Sequence, residues 1–214
     1  MKKVIKNFRF IAMFFVVAIF LSTNLVQGQE KEKKKKDEFK VYAGVSFNHL
    51  NIDSKYFESA FTPGFDIGGA YKRGKFFYWE VGVRYNNSVY NLAPVGTPDS
   101  ISYTDKIFSA RNIDVPITVG INILSITSRI VGLRVFISAI PSFTVGVGDN
   151  DIGITKDDLN SFNVLGQGGI GVDVAFIFIE TGFSYGFGNI IKDINSTSIQ
   201  SNPMQIYLNL GFRF

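Results

Sequence analysis

His49 is the one imidazole in this chain, and there is no cysteine. A hydrolytic site would need that imidazole beside a Ser or a carboxylate. Disulfides, thiolate metal sites and sites built on several His are excluded by composition. Gly166-Gln167-Gly168-Gly169-Ile170-Gly171 matches G-x-G-x-x-G, but the dinucleotide fingerprint needs a helix after it. Val172–Ile179 reads as further strand instead, so these glycines are read as close-packing positions. Asp149, Asp151, Asp157 and Asp158 cluster as calcium ligands could. Gly153, however, stands where an EF-hand loop would supply its third oxygen, and a solvated acidic loop is expected. Asn86-Asn87-Ser88 and Asn195-Ser196-Thr197 match the short glycosylation pattern, which by itself carries little weight. The remaining chemically capable residues are Asp66, Glu80, Arg84, Asp114, Arg134, Asp173, Glu180 and Arg213. Strand parity puts all eight on one face. In an enclosed space, five acids and three bases must be paired, hydrogen-bonded or protonated. Their expected role is a structural network, with a proton or small-ion path as the functional alternative. No catalytic residue, cofactor or metal is expected.

These residues are positioned by strands. In Gln205–Phe214, Ile206, Leu208, Leu210, Phe212 and Phe214 share one face; Gln205, Tyr207, Asn209, Gly211 and Arg213 share the other. Strict period-two alternation over ten residues fits a tilted membrane-crossing β-strand. Seven more runs read as strands: Lys40–Leu50, Gly64–Lys72, Phe76–Tyr90, Phe108–Ile123, Ile130–Val147, Phe162–Val174 and Phe176–Asn189. The connections alternate long (51–63, 91–107, 148–161, 190–204) and short (73–75, 124–129, around Ala175). Short periplasmic turns and longer external loops mark outer-membrane barrels. The predicted fold is all-β: an eight-stranded, antiparallel, up-and-down transmembrane β-barrel.

Alternation alone does not say which face is inside. In the third strand Phe77, Trp79, Val81, Val83 and Tyr85 oppose Tyr78, Glu80, Gly82, Arg84 and Asn86. In the fifth, the odd positions Val131 to Val147 are apolar. The polar face is mainly Gly, Ser, Asn and Thr with sparse charge, whereas a solvated surface is rich in Lys and Glu. The apolar face is therefore placed in lipid. Tyr71, Phe77, Trp79, Phe212 and Phe214 then form one aromatic girdle, and Phe47, Tyr185 and Phe187 the other. Eight strands leave an interior that side chains fill, so a filled lumen is expected rather than a sieving pore. Pro116 and Pro141 cannot donate to a ladder, and each predicts a local bulge or unpaired position.

Met1–Phe10 carries Lys2, Lys3, Lys6 and Arg9 and no acid, and Ile11–Leu21 is apolar. Residues 1–28 read as a signal peptide cut before Gln29. Of 22 basic and 18 acidic residues, the leader holds four basic ones, so the remainder carries 18 of each. That balance argues against nucleic-acid binding. Residues 29–38 form a charged periplasmic linker, and 39–214 the barrel domain.

Several segments resemble the PorT-like outer-membrane β-barrel family of Bacteroidetes, a group of small barrels of the OmpA/OmpX kind. They are Asn112-Ile113-Asp114-Val115-Pro116-Ile117, Ala139-Ile140-Pro141-Ser142, Phe183-Ser184-Tyr185-Gly186-Phe187-Gly188-Asn189-Ile190 and Leu210-Gly211-Phe212-Arg213-Phe214. Ile140 departs from the glycine usual in the second. The resemblance implies an envelope protein in the outer membrane with both termini periplasmic, and a founding member associated with type IX secretion. Phe212 and Phe214 resemble the terminal signal read by the barrel-assembly machinery.

The expected function is a non-enzymatic, monomeric barrel with a structural or interaction role. Its expected partners are outer-membrane lipid, the assembly machinery, and envelope or secretion proteins. The first external loops, with Tyr56, Phe57 and Phe61, are the expected contact surface. The alternatives are an outer-leaflet lipid- or peptide-modifying enzyme, which predicts His49 within reach of a Ser or carboxylate, and a soluble lipocalin-like carrier.

Overall fold

The computed structural model describes residues 37–52, 57–94, 106–123, 131–150, 153–192 and 200–214. The proposed signal peptide, nearly all of the charged linker, Tyr56 and Asp151 lie outside them. Eight strands form the wall: β1 (Asp37–Ile52), β2 (Thr62–Gly74), β3 (Phe77–Pro94), β4 in two segments (Lys106–Asp114 and Ile117–Asn122), β5 (Val131–Val147), β6 (Phe162–Val174), β7 (Ile177–Gly186) and β8 (Ser201–Arg213). Each pairs antiparallel with its neighbours in sequence, and β1 also pairs with β8. The sheet closes on itself, since each of the eight strands pairs on both sides among the described residues.

The register fixes the barrel's shape. Stepping across paired residues runs Asp37, Arg73, Trp79, Val119, Ile137, Gly168, Phe183, Ile206 and back to β1 at Phe47. The return falls ten residues along β1, so eight strands close with a stagger of ten. With strands ~4.8 Å apart and a rise of ~3.4 Å, that stagger requires a tilt of about 41° and a backbone radius of about 8 Å.

The two faces sort as the alternation predicts. Phe77, Trp79, Val81 and Val83 on β3 are outward and exposed, as are Ile206, Leu208 and Leu210 on β8. Tyr78, Arg84 and Asn86, and Tyr207 and Asn209, point inward and are buried. An apolar exterior around a polar interior is the reverse of a soluble carrier, and the lipocalin-like alternative falls with it. On β1, outward residues from Phe39 to Phe47 cover about 20 Å along the axis at that tilt, close to the ~25 Å apolar band of such barrels. Phe39 meets Tyr71 with tilted rings at 5.2 Å, Tyr71 meets Trp79 edge-to-face at 5.6 Å, and Phe176 stacks on Phe212 at 6.1 Å. These rings lie at the end where β1 begins and β8 ends, here called proximal.

The unpaired positions expected at Pro116 and Pro141 are present, while several strand bounds and one facing need correction. The fourth strand is not continuous: Val115–Pro116 interrupts it, because Pro116 has no N–H to donate. Its carbonyl still accepts Gly82 N–H at 3.0 Å. Pro141 borders the same gap: the register of β4 with β5 stops at Asp114 opposite Ser142 and resumes at Ile117 opposite Ala139, so Pro141 has no ladder partner on that side. It sits in register opposite Val164, and its carbonyl accepts Val115 N–H at 2.9 Å. A further irregularity on β5 falls at Val145: Arg111 pairs with Gly146 and Asn112 with Thr144. One extra residue reverses the facing beyond it, so Val147, read as outward, packs inward. The seventh strand ends at Gly186, and the eighth begins earlier, at Ser201. The long connections also shorten, since β1 runs to Ile52, β3 to Pro94, and Phe57–Glu58 pairs with Pro94 and Ala93.

Candidate functional site

The inward face of the proximal half carries charge. Lys40 Nζ lies 2.9 Å from Glu80 and 2.7 Å from Glu180. Glu180 also accepts from Arg134, which pairs in turn with Asp173. Asp173 lies 3.5 Å from Arg213, Arg213 3.7 Å from Glu38, and Glu38 3.3 Å from Lys72. These contacts form one connected chain of strictly alternating sign: Glu80, Lys40, Glu180, Arg134, Asp173, Arg213, Glu38, Lys72. Four acids meet four bases, and the cluster is neutral. Lys40 and Lys72 were not among the expected lumen residues, although both are fully buried. They overturn the reckoning of five acids against three bases. Lys40 and Arg134 also lie over the Phe178 ring at 4.5 and 5.1 Å, and Lys72 over Tyr78 at 4.6 Å.

Glycines make room for these long side chains. A Cβ on Gly171 would meet Arg134 Nε at 2.6 Å, and one on Gly169 would meet Phe136 and the Tyr207 hydroxyl at 2.7 and 2.8 Å. The glycine-rich run of β6 is thus the floor under Arg134 and an aromatic layer of Tyr78, Phe136 and Tyr207. It has no helix behind it and no phosphate-binding geometry.

Above that layer lies a second charged group. Arg84 donates through Nε and Nη2 to one Asp114 oxygen at 3.0 and 2.7 Å, and all these side chains are buried. Asn86 approaches the same oxygen at 3.4 Å. Asp66, next to them and 1% exposed, makes no hydrogen bond through either oxygen. A cavity of about 20 Å³ separates the two charged groups, bounded by Glu80, Arg84, Thr118, Gln167, Glu180 and Asn209. That is room for about one water.

The distal end is closed by apolar side chains. Leu50, Tyr90, Phe108 and Ala110 from the wall pack with Leu159 and Ile190 from the connections 148–161 and 187–200. Asn160 N–H donates to Ile190 O at 2.8 Å and Lys192 N–H to Asp158 O at 2.9 Å, which fastens the two connections together. The first also contains a single 3-10 turn, Lys156–Asp158. Asp158 accepts Thr155 N–H and Oγ–H at 2.8 Å each, which holds its carboxyl below the usual carboxylate range. This plug could not be read from periodicity, because Leu159 and Ile190 stand alone in irregular chain.

Of the other expected sites, Phe61 is exposed and stacks on His49 at 5.0 Å. His49 Nδ1 has no hydrogen-bond partner among the described residues, so no Ser or carboxylate among them meets that nitrogen. Phe57 is placed through its backbone pairing with Pro94. Asp149, Asp157 and Asp158 are exposed, and among the described residues no three acidic or imidazole groups converge as metal ligands.

A closed, lipid-exposed eight-stranded wall around a charged core is the architecture of small outer-membrane barrels. A family model for the outer membrane protein beta-barrel domain matches residues 27–192. The chain belongs to this family. Its place is accordingly the outer membrane. Among solved structures it resembles outer membrane protein OprG from Pseudomonas aeruginosa, with 9% identity and a TM-score of 0.50, covering 85% of this chain and 97% of that one. It also resembles Ail, the attachment invasion locus protein of Yersinia pestis (11%, 0.46, 84% and 100%), and Neisserial surface protein A (12%, 0.45, 82% and 97%). At these identities the likeness concerns the fold alone. A comparison with curated proteins finds no match.

Proposed function

We propose that this protein is a non-enzymatic, monomeric barrel that acts through its distal connections as a contact surface at the cell envelope. The observation that carries this reading is the blocked lumen: an ion-paired proximal half, a void of about 20 Å³ and an apolar distal plug. Among the described residues these layers fill the interior around a water-sized void, which favours interaction at the ends. Both termini face the periplasm in this reading, because short turns and barrel termini share the proximal end. The chain then presents Phe61 and its neighbours outside. Phe212 and Phe214 serve the barrel-assembly machinery, and a secretion-accessory role would be one form of envelope contact.

Two measurements test this together. In planar bilayers the purified protein should show no steady conductance, and a stable ion current would sink the blocked-lumen argument. In cells, a photocrosslinking side chain at position 61 should capture a discrete envelope partner, whereas one at outward Val83 should capture none. Equal labelling at both positions would refute the contact surface.

A further inference from the structure

The bulge at Val145 changes what the wall presents beside β4. In an unbroken ladder Val145 would stand opposite Arg111, and Val147 would face outward opposite Ser109. With the extra residue, Val147 turns into the distal plug, and Gly146 and Gly148 take those outward places. Gly146 pairs directly with Arg111, and Gly148 N–H donates to Ser109 O at 2.9 Å. Two adjoining outward positions therefore carry no side chain. Arg111 and Ser109 use the space: a Cβ on Gly148 would overlap Ser109 Oγ and lie 3.7 Å from Arg111 Nη2, and one on Gly146 would lie 3.8 Å from Arg111 Cδ. Bulges commonly re-aim side chains next to functional sites, and this one clears a notch on the outer wall.

The notch gathers donors and a positive charge. Arg111 is exposed and, among the described residues, makes no ion pair or hydrogen bond through its side chain, Asp149 one residue beyond Gly148 included. Its partner on β3 is Asn87, on the same outward face. Neither Asn87 nor Ser109 commits its side chain to a hydrogen bond among the described residues. A guanidinium, an amide and a hydroxyl over a glycine floor suit a phosphate, which the planar guanidinium can grip through two parallel N–H groups. The register sets the depth. Eight steps around the wall climb ten residues of β1, so each step climbs about 3 Å along the axis. Val45, Phe65, Asn87 and Arg111 are paired in turn. Three such steps place Arg111 about 4 Å distal to Phe47, where the outward apolar stretch of β1 ends. On β4 itself the outward residues proximal to it are Ile113, Ile117, Val119 and Ile121. Phe143, opposite Ile113, meets the Phe162 ring at 5.3 Å. Aromatic rings of a barrel wall gather where hydrocarbon meets headgroups, and Arg111 stands immediately beyond them.

We propose that this notch binds the phosphate group of a lipid in the leaflet at the distal end of the barrel, with Arg111 as the principal contact and Ser109 and Asn87 as further donors. The test uses the folded full-length barrel in vesicles of phosphatidylcholine containing phosphatidic acid with brominated chains, which quench a nearby tryptophan. Trp79→Phe removes the one native tryptophan, and Ile113→Trp places a reporter on β4 just below Arg111. Ile206→Trp, on β8 four strands away at a similar depth, is the control. At position 113 quenching should show phosphatidic acid favoured over phosphatidylcholine by about fivefold, the worth of one basic side chain at a charged membrane surface. At position 206 it should show no preference. Arg111→Gln should bring position 113 down to the control, and Ser109→Ala with Asn87→Ala should remove part of the preference. Equal preference at the two positions would overturn the proposal, as would a preference at 113 that survives Arg111→Gln. The preference should persist in millimolar inorganic phosphate at constant ionic strength; its loss there would assign the notch to free phosphate and overturn the lipid source. Phe143→Trp, opposite Ile113, reads the same site if Ile113→Trp fails to fold.

Discussion

Arg84 and Arg134 are both buried arginines, and counting ion pairs would rank Arg134 as the more important. It contacts two carboxylates, Asp173 and Glu180, where Arg84 contacts only Asp114. The connected geometry reverses that ranking. When Arg134 is replaced by Met, Asp173 keeps Arg213 at 3.5 Å and Glu180 keeps Lys40 at 2.7 Å. The proximal chain becomes singly negative, but each carboxylate retains a cation. When Arg84 is replaced by Met, Asp114 keeps only Asn86 at 3.4 Å and Asp66 still has no partner. Two buried carboxylates then share a pocket with no protein cation. Breaking a buried pair by removing one partner costs ~3–5 kcal/mol, and Arg84→Met belongs at the upper end of that range, Arg134→Met at or below the lower.

Urea unfolding of the detergent-folded barrel reads the difference. With a slope of about 2 kcal/mol per molar urea, Arg84→Met should lower the midpoint by about 2 M and Arg134→Met by about 1 M. The double variant Arg84→Met, Asp114→Leu should recover most of the loss, because apolar packing replaces a buried pair at little cost. The reasoning is refuted if Arg134→Met is the more damaging variant, or if the double variant is no more stable than Arg84→Met alone.

Gly182 has no room for a side chain: a Cβ would lie 2.3 Å from the Gly168 carbonyl and 2.7 Å from the Tyr207 hydroxyl. Gly182→Ala should therefore cost at least ~1–3 kcal/mol by overpacking against backbone, seen as a lower midpoint on heat-dependent gel mobility. Leu159→Ala should loosen the distal plug without unmaking the wall; protease should cut within residues 153–160 while the heat-dependent mobility stays unchanged. Because hydrogen bonds from Thr155 depress the Asp158 carboxyl, the turn they hold is intact above the ordinary carboxylate range and is lost only as pH falls through the depressed value. Hydrogen exchange in residues 155–159 should accelerate only in acid, and Thr155→Ala should move that onset to higher pH.

Much of this architecture is legible in the chain because a barrel wall needs one thing of every strand, a fixed inside and outside. Ile206, Leu208 and Leu210 against Tyr207 and Asn209 state that rule plainly, and parity alone carried Asp66, Arg84, Asp114, Arg134, Asp173 and Glu180 to the interior. Lys40 and Lys72 obey the same parity, yet they were missed. Lys40 adjoins the tract Glu30–Glu38 and Lys72 the turn at Arg73, where lysine usually means solvent. Only the register, which sets Lys40 between Ala70 and Arg213 and Lys72 opposite Glu38, shows that both lie inside and meet acids there. The extra residue at Val145 is illegible for a different reason. A bulge is a property of two strands, visible only once Arg111 and Asn112 are seen opposite Gly146 and Thr144. Pro116 and Pro141 announce the gap between them because proline is a local signal, whereas the bulge at Val145 has none.

The charged core is better understood as a specifier of facing than as a source of stability. Buried ion pairs add little over apolar packing, and an eight-stranded interior could be filled by apolar side chains. With both faces apolar, however, a one-residue slip of any strand would cost almost nothing in the membrane, because either face would suit lipid. With charge inside, the same slip turns Lys40, Lys72, Arg84 or Arg134 toward the hydrocarbon. A Lys or Arg near the bilayer midplane costs ~2–4 kcal/mol there, and the slipped side chain also abandons its partner. A slip of β3 alone would expel Arg84 and Glu80 and orphan Asp114. The alternating chain from Glu80 to Lys72 joins charges borne by β1, β2, β3, β5, β6, β7 and β8. Arg84 with Asp114 ties in β4. Every strand of the wall therefore carries at least one charge whose partner stands on another strand, and the correct register of each is checked by its neighbours.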